Sequence, residues 1–72
     1  MTTTITPWIE IEPKEFVAED SSFGRATTQR DCPACGKELT MFGYKVIRNS
    51  ENEITSWERT CNCGTHLVIF ND

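Results

Sequence analysis

Four cysteines, Cys32, Cys35, Cys61 and Cys63, are the residues of this chain most able to do chemistry. The chain has 72 residues, and the apolar core of so small a domain rarely contributes more than ~3–5 kcal/mol, so a cross-link is usually needed. Four cysteines could supply two disulfides or one metal site. The first fifteen residues show neither the basic start nor the apolar run of a secretory signal. We therefore expect a cytoplasmic protein, where thiols stay reduced and a metal site is favoured.

Each cysteine pair sits in a turn and is followed directly by glycine, as Cys32-Pro33-Ala34-Cys35-Gly36 and Cys61-Asn62-Cys63-Gly64. A tight turn lets two thiolates reach one ion, and glycine tolerates the left-handed backbone that such a turn needs. Four thiolates favour Zn²⁺, with Fe²⁺ as a common substitute. The spacing therefore predicts one structural zinc ion bound by all four cysteines.

His66 leaves one alternative open, because it lies three residues after Cys63. A site of three cysteines and one histidine is chemically reasonable. The competing interpretation is that His66 is an ordinary polar residue on a strand. Disulfides or a metal-free state also stay open at this stage.

Three strands are predicted around the cysteine pairs, over residues 38–48, 53–60 and 65–70, with a turn at residues 49–52. They form an antiparallel meander. The last strand is apolar on both faces, because Leu67 and Ile69 alternate with Val68 and Phe70. A three-stranded sheet cannot cover itself twice, so we expect the N-terminal segment to pack against it. The alternative is that an oligomer or another partner covers that face.

These cysteine pairs and the hairpin between them resemble the zinc-ribbon superfamily over about residues 31–70. The resemblance implies a three-stranded sheet and a tetrahedral, all-cysteine zinc site between two knuckles. Cys32 and Cys35 would form the first knuckle, and Cys61 and Cys63 the second. The second pair departs from the usual pattern, since one residue and not two separates its cysteines.

The N-terminal segment, residues 1–24, is expected to be acidic and docked on the sheet, with the zinc-ribbon domain over residues 25–72. Trp8, Ile9 and Ile11 indicate a short extended piece. Pro13 could open a short helix over residues 12–17, and residues 21–24 are typical of a turn.

The charge distribution bears on the partner. The net charge is −4, and it arises in residues 1–24, where five acidic side chains oppose Lys14 alone. Such a balance is poor for neutralising phosphates. A site closed by four thiolates, without a nucleophile–base pair or phosphate loop, also argues against an enzyme. We therefore expect a non-catalytic, monomeric protein-interaction module with no membrane span.

The zinc-ribbon resemblance implies docking on a transcription or other nucleic-acid-processing complex, such as an RNA polymerase, and a small phage or mobile-element regulator would fit this role. The alternative function is direct binding of DNA or RNA through Phe42, Tyr44 and Trp57. The basic residues near these aromatics are Lys45, Arg48 and Arg59. The competing interpretation is that the aromatics pack within the fold. A redox response through zinc release is a third option.

Overall fold

A computed structural model describes residues 5–25 and 29–71, and these residues form one five-stranded sheet. The strands in chain order are β1 Ile9–Glu12, β2 Glu15–Glu19, β3 Lys45–Arg48, β4 Ile54–Thr60 and β5 His66–Phe70. In the sheet they lie in the order β1-β2-β5-β4-β3. β2 and β5 are parallel, and the other neighbours are antiparallel.

The predicted meander is present as β3, β4 and β5, but its first strand is shorter than predicted. Residues 38–44 do not join the sheet as a strand, and Met41–Gly43 forms a 3-10 helix. Leu39 is buried in the core, so this part of the chain crosses a sheet face. The turn before β4 is formed as expected, since the Asn49 side chain accepts hydrogen bonds from the backbone N–H groups of Glu51 and Glu53.

The prediction of a three-stranded sheet with a short N-terminal helix is wrong. Residues 12–17 contain the end of β1, a two-residue turn and the start of β2, with Glu12 paired to Glu15. Lys14 has φ 63°, and a proline followed by a positive φ is the arrangement of a type II turn. Pro13 therefore starts a turn and not a helix. Tertiary pairing of β2 with β5 overrides the local signal.

The apolar core lies on one face of this sheet. Ala18, Ile69, Trp57 and Val46 form a row across β2, β5, β4 and β3 on that face. Residues 20–25 and 29–44 cover it, mainly through Phe23, Leu39 and Tyr44. The Phe23 ring meets those of Tyr44 and Trp57 edge-on, with centroids 5.0 and 5.1 Å apart.

The N-terminal segment meets the rest of the fold in two ways. Its strands β1 and β2 widen the sheet by joining its edge, and its Phe23 packs on the core face. The edge pairing has a physical cause, because the edge of β5 would otherwise leave its backbone groups unpaired. The division of the chain at residue 24 stays a prediction.

A buried ion pair connects the N-terminal strands to the rest of the chain. Asp20, at the end of β2, is fully buried and accepts hydrogen bonds from the Ser22 backbone N–H (2.9 Å) and hydroxyl (2.7 Å). The Arg30 guanidinium lies 3.5 Å from the second carboxylate oxygen. Arg30 also donates to the Thr6 carbonyl (2.6 Å) and stacks over the Trp8 ring at 5.0 Å. One guanidinium thus joins three parts of the fold.

Replacing Asp20 by alanine should lower the free energy of unfolding by about 3–5 kcal/mol, because it leaves the Arg30 charge buried without its partner. Urea unfolding of the metal-loaded protein measures this change. Asp31→Ala is the matched control, since the Asp31 side chain is exposed, and its effect should stay within about 0.5 kcal/mol. Equal effects of the two substitutions would show that the buried pair does not stabilise the fold.

Candidate metal centre

Two knuckles of almost the same design carry the four cysteines. In the first, the Cys32 N–H donates to the Lys37 carbonyl, and the Gly36 N–H donates to the Cys32 carbonyl, both at 2.9 Å. In the second, the Cys61 N–H donates to the Thr65 carbonyl and the Gly64 N–H to the Cys61 carbonyl, both at 2.8 Å.

The second knuckle is one residue shorter than the first, and this difference appears in the span of its closing hydrogen bond. Gly36 reaches back four residues to Cys32, whereas Gly64 reaches back three residues to Cys61. Gly36 and Gly64 have φ 76° and 92°, and an added Cβ would meet no atom within 4 Å. Backbone conformation, and not crowding, therefore requires glycine at both positions. The tighter turn accommodates the unusual spacing of Cys61 and Cys63.

The structure brings the four predicted sulfur atoms together. All four Sγ atoms lie within 4.8 Å of one another. Two close pairs of sulfurs each join the first knuckle to the second. They are Cys32–Cys63 at 3.7 Å and Cys35–Cys61 at 3.5 Å. These separations exceed the ~2.05 Å of a disulfide bond, and all four cysteines are free thiols. The cluster is positioned to bind a metal ion.

The distances also fit a particular coordination geometry. Zinc–sulfur bonds of ~2.3 Å in a tetrahedron place the sulfurs about 3.8 Å apart. The two close pairs match that edge length within a few tenths of an ångström. Cys32 and Cys61 are buried in the core, while Cys35 and Cys63 are exposed. The centre thus lies at the boundary between core and solvent.

The thiols differ in how readily they lose a proton. The Thr65 hydroxyl lies 3.1 Å from the Cys63 sulfur, and its hydrogen bond, with that of the Thr65 N–H, lowers the pKa of Cys63 to about 6. At Cys35, the hydrogen bond from the Lys37 N–H also lowers the pKa. The hydrogen bond with Cys61 and desolvation outweigh this effect, and the pKa of Cys35 is raised to about 12. A bound cation would replace the protons of these thiols.

His66 lies outside the cluster. Its Nε2 is 3.2 Å from a Glu58 carboxylate oxygen, and its Nδ1 is 3.9 Å from a Glu15 carboxylate oxygen. Alternation along the strand explains this placement, because the preceding residue, Thr65, is buried beside Cys63. The His66 side chain consequently points to the opposite face of the sheet.

The aromatics considered for nucleic-acid stacking occupy different environments. Tyr44 and Trp57 are buried in the core, and desolvation raises the pKa of Tyr44 to about 12. Phe42, in contrast, is 91% exposed. The Arg59 guanidinium lies 5.7 Å above the Tyr44 ring and donates to the Thr40 carbonyl. Only one of the three predicted rings presents a face to solvent.

A separate open hollow of about 660 Å³ lies between residues 21–25 and strands β3 and β4. Phe23, Met41 and Trp57 form apolar parts of its lining, and Arg25, Arg48 and Glu53 are its charged members. The described lining includes neither histidine nor cysteine. The hollow is distinct from the cysteine cluster.

Comparison with known proteins adds no relative to this description. No protein-family model, curated protein or solved structure matches the chain. In the part of the chain that the structure describes, no helix is long and apolar enough to cross a membrane. The cysteine cluster is therefore the feature on which a functional assignment depends.

Thr65→Val should weaken metal binding about 10–100-fold, because it removes the hydroxyl that donates to the Cys63 sulfur. Competition with a chromophoric chelator measures the affinity. Thr55→Val is the control: it removes an exposed hydroxyl that donates to the Ile47 carbonyl, and it should leave the affinity unchanged within about twofold. An unchanged affinity in Thr65→Val would contradict the role assigned to this hydroxyl.

Proposed function

We propose that this chain is a zinc-ribbon protein in which Zn²⁺, bound by Cys32, Cys35, Cys61 and Cys63, stabilises the fold. The observation that carries the proposal is the pair of 3.5 and 3.7 Å sulfur–sulfur distances joining the two knuckles. An all-thiolate tetrahedral donor set favours zinc. The β3–β4–β5 meander between and after the knuckles also supports the assignment. The strands β1 and β2 are an addition to the ribbon.

The same site supports a structural and non-catalytic role. Catalytic zinc sites keep one coordination position for water, whereas four thiolates would fill a tetrahedron. The histidine nearest in sequence, His66, faces Glu15 and Glu58 and not the cluster. We therefore infer that the zinc maintains the fold and does not take part in a reaction.

We further propose that the protein acts as a protein-interaction module in the cytoplasm. In the absence of its partner it is a monomer. The zinc-ribbon resemblance suggests a small regulator, of the kind that phages or mobile elements encode, docking on an RNA polymerase or related machinery. Charge supports a protein partner over a nucleic acid. The chain carries −4, and a zinc ion with four thiolates makes it more negative by about two charges.

Removing zinc should unfold the protein, since such a site contributes an apparent ~10–16 kcal/mol at neutral pH, more than the ~3–5 kcal/mol of a core of this size. The measurements are one zinc ion per chain by metal analysis and loss of the native circular dichroism on chelation. Lower pH should have the same effect, because protons compete for the thiolates. An unchanged spectrum after complete zinc removal would falsify the assignment.

Cys35→Ser tests the ligand set without disturbing the core, because Cys35 is exposed. Ala34→Ser is its control in the same knuckle, since it adds a hydroxyl group without removing a ligand. We expect the first substitution to reduce zinc affinity by at least tenfold and the second to leave it unchanged.

Protein docking and nucleic-acid binding are separated by a gel-shift experiment at low and moderate salt. Protein docking predicts no shift of DNA or RNA, while tight binding that falls steeply with salt would contradict it. An affinity pull-down from nuclease-treated lysate should retain a specific protein partner.

A further inference from the structure

The face of the sheet opposite the core, here called the open face, carries an apolar patch. Strand register places Ile9, Val17 and Val68 in one row across β1, β2 and β5. Phe70 lies next to this row on β5. Ile9 is 54% exposed and Phe70 is 45% exposed. The patch consists of these four side chains, of which Val17 and Val68 are half-buried.

The patch is not needed to complete the core. Phe23, Leu39 and Tyr44 already pack on the other face, against Trp57, Leu67 and Ile69. Contiguous exposed apolar side chains with a polar rim are typical of interaction sites. The open face is therefore a candidate docking surface.

Acidic side chains border the patch. Glu12 and Glu15 are paired across β1 and β2, and the hydrogen bond and repulsion from Glu15 raise the pKa of Glu12. Glu58 continues the row of Val68 into β4. Lys45 follows Glu58 on β3, at the edge of the sheet away from the patch. The surroundings of the patch are thus predominantly negative.

We propose that the open face binds a protein surface on which aliphatic side chains are surrounded by lysine and arginine. This inference rests on the proposed function and adds the location and chemistry of the docking site. Aliphatic groups would bury Ile9, Val17, Val68 and Phe70, and the basic groups would meet Glu15 and Glu58. Complementary charges of this kind speed association and exclude partners of the wrong sign.

The acidic residues around the patch also argue against a second copy of the chain, a nucleic acid or an anionic membrane on the open face. A second copy packed face to face would bring the glutamates of two negative chains together, and like charges directly opposed are destabilising. DNA, RNA and anionic membranes present negative surfaces and would be repelled as well. A basic partner is the occupant that the charges of this face favour.

A peptide titration of the zinc-loaded, isotope-labelled protein tests the chemistry. The probe is a nine-residue peptide that alternates lysine with isoleucine, and its control has glutamate in place of every lysine. We expect shifts of the amide signals of Val17, Val68 and Phe70 with the basic peptide alone, weakening as salt is raised. No binding, equal binding of both peptides, or shifts confined to other residues would overturn the proposal.

Charge reversal identifies the acidic contacts. The double variant Glu15→Lys with Glu58→Lys should lower the affinity for the basic peptide by at least tenfold. Glu51→Lys is the control, because Glu51 is an exposed acid in the turn between β3 and β4. Phe70→Ala, with the exposed Phe42→Ala as its control, tests the apolar contact without altering charge. Equal affinities in each variant and its control would overturn the proposal.

Photo-crosslinking in lysate separates this inference from the proposed function. A photoreactive residue is placed at position 70 or, as control, at position 42. Crosslinking from position 70 to a lysine- and arginine-rich segment, lost in the double charge-reversal variant, supports the inference. Crosslinking to a protein from position 42 alone overturns the open face but leaves protein docking intact. Self-crosslinking from position 70 overturns it in favour of a dimer, and no crosslink from either position overturns both proposals.

Discussion

The convergence of four sulfur atoms is the constraint on which the rest of this structure depends. Cys32 and Cys63 are separated by 31 residues and Cys35 and Cys61 by 26, yet each pair meets at less than 4 Å. This meeting fixes the path of the chain before β3 relative to the turn between β4 and β5. Because the buried members of the two knuckles belong to the core, packing and metal binding constrain the same atoms.

A second constraint acts directly after β2, at Asp20. The buried carboxylate of Asp20 orients the following loop through Ser22 and pairs with Arg30, two residues before the first knuckle. The loop then carries Phe23 into the core between Tyr44 and Trp57. The ion pair therefore fixes the start of the segment that covers the core face, and the first knuckle fixes its middle.

The way in which the N-terminal strands join the sheet has a consequence for function. Since β2 pairs with the edge of β5 and does not pack on its surface, one face of the sheet is covered and the other is left open. The acidic residues Glu15 and Glu19 of β2 are thereby brought beside β5. Edge pairing thus creates a surface that neither the β3–β4–β5 meander nor the N-terminal segment has alone.

Local signals in the sequence determined a large part of this fold. The two cysteine pairs with their glycines, the turn at Asn49 and the strands β4 and β5 all follow from neighbouring residues. These features are readable because each depends on hydrogen bonds or backbone conformations within a few residues. The choice of the four cysteines as a metal site needed only their types and spacing.

Only the tertiary structure decided the remaining features, because they depend on contacts between distant residues. Pro13 is compatible with a helix start or a turn, and the edge of β5 selects the turn. The residues around Tyr44 and Trp57 suit either stacking on nucleic-acid bases or packing within the fold. Contact with the Phe23 ring places both side chains in the core. The side on which His66 lies depends on Thr65 facing Cys63. The sequence thus determined that four thiols could bind one metal ion, and the pairing of distant strands decided which surface is left for a partner.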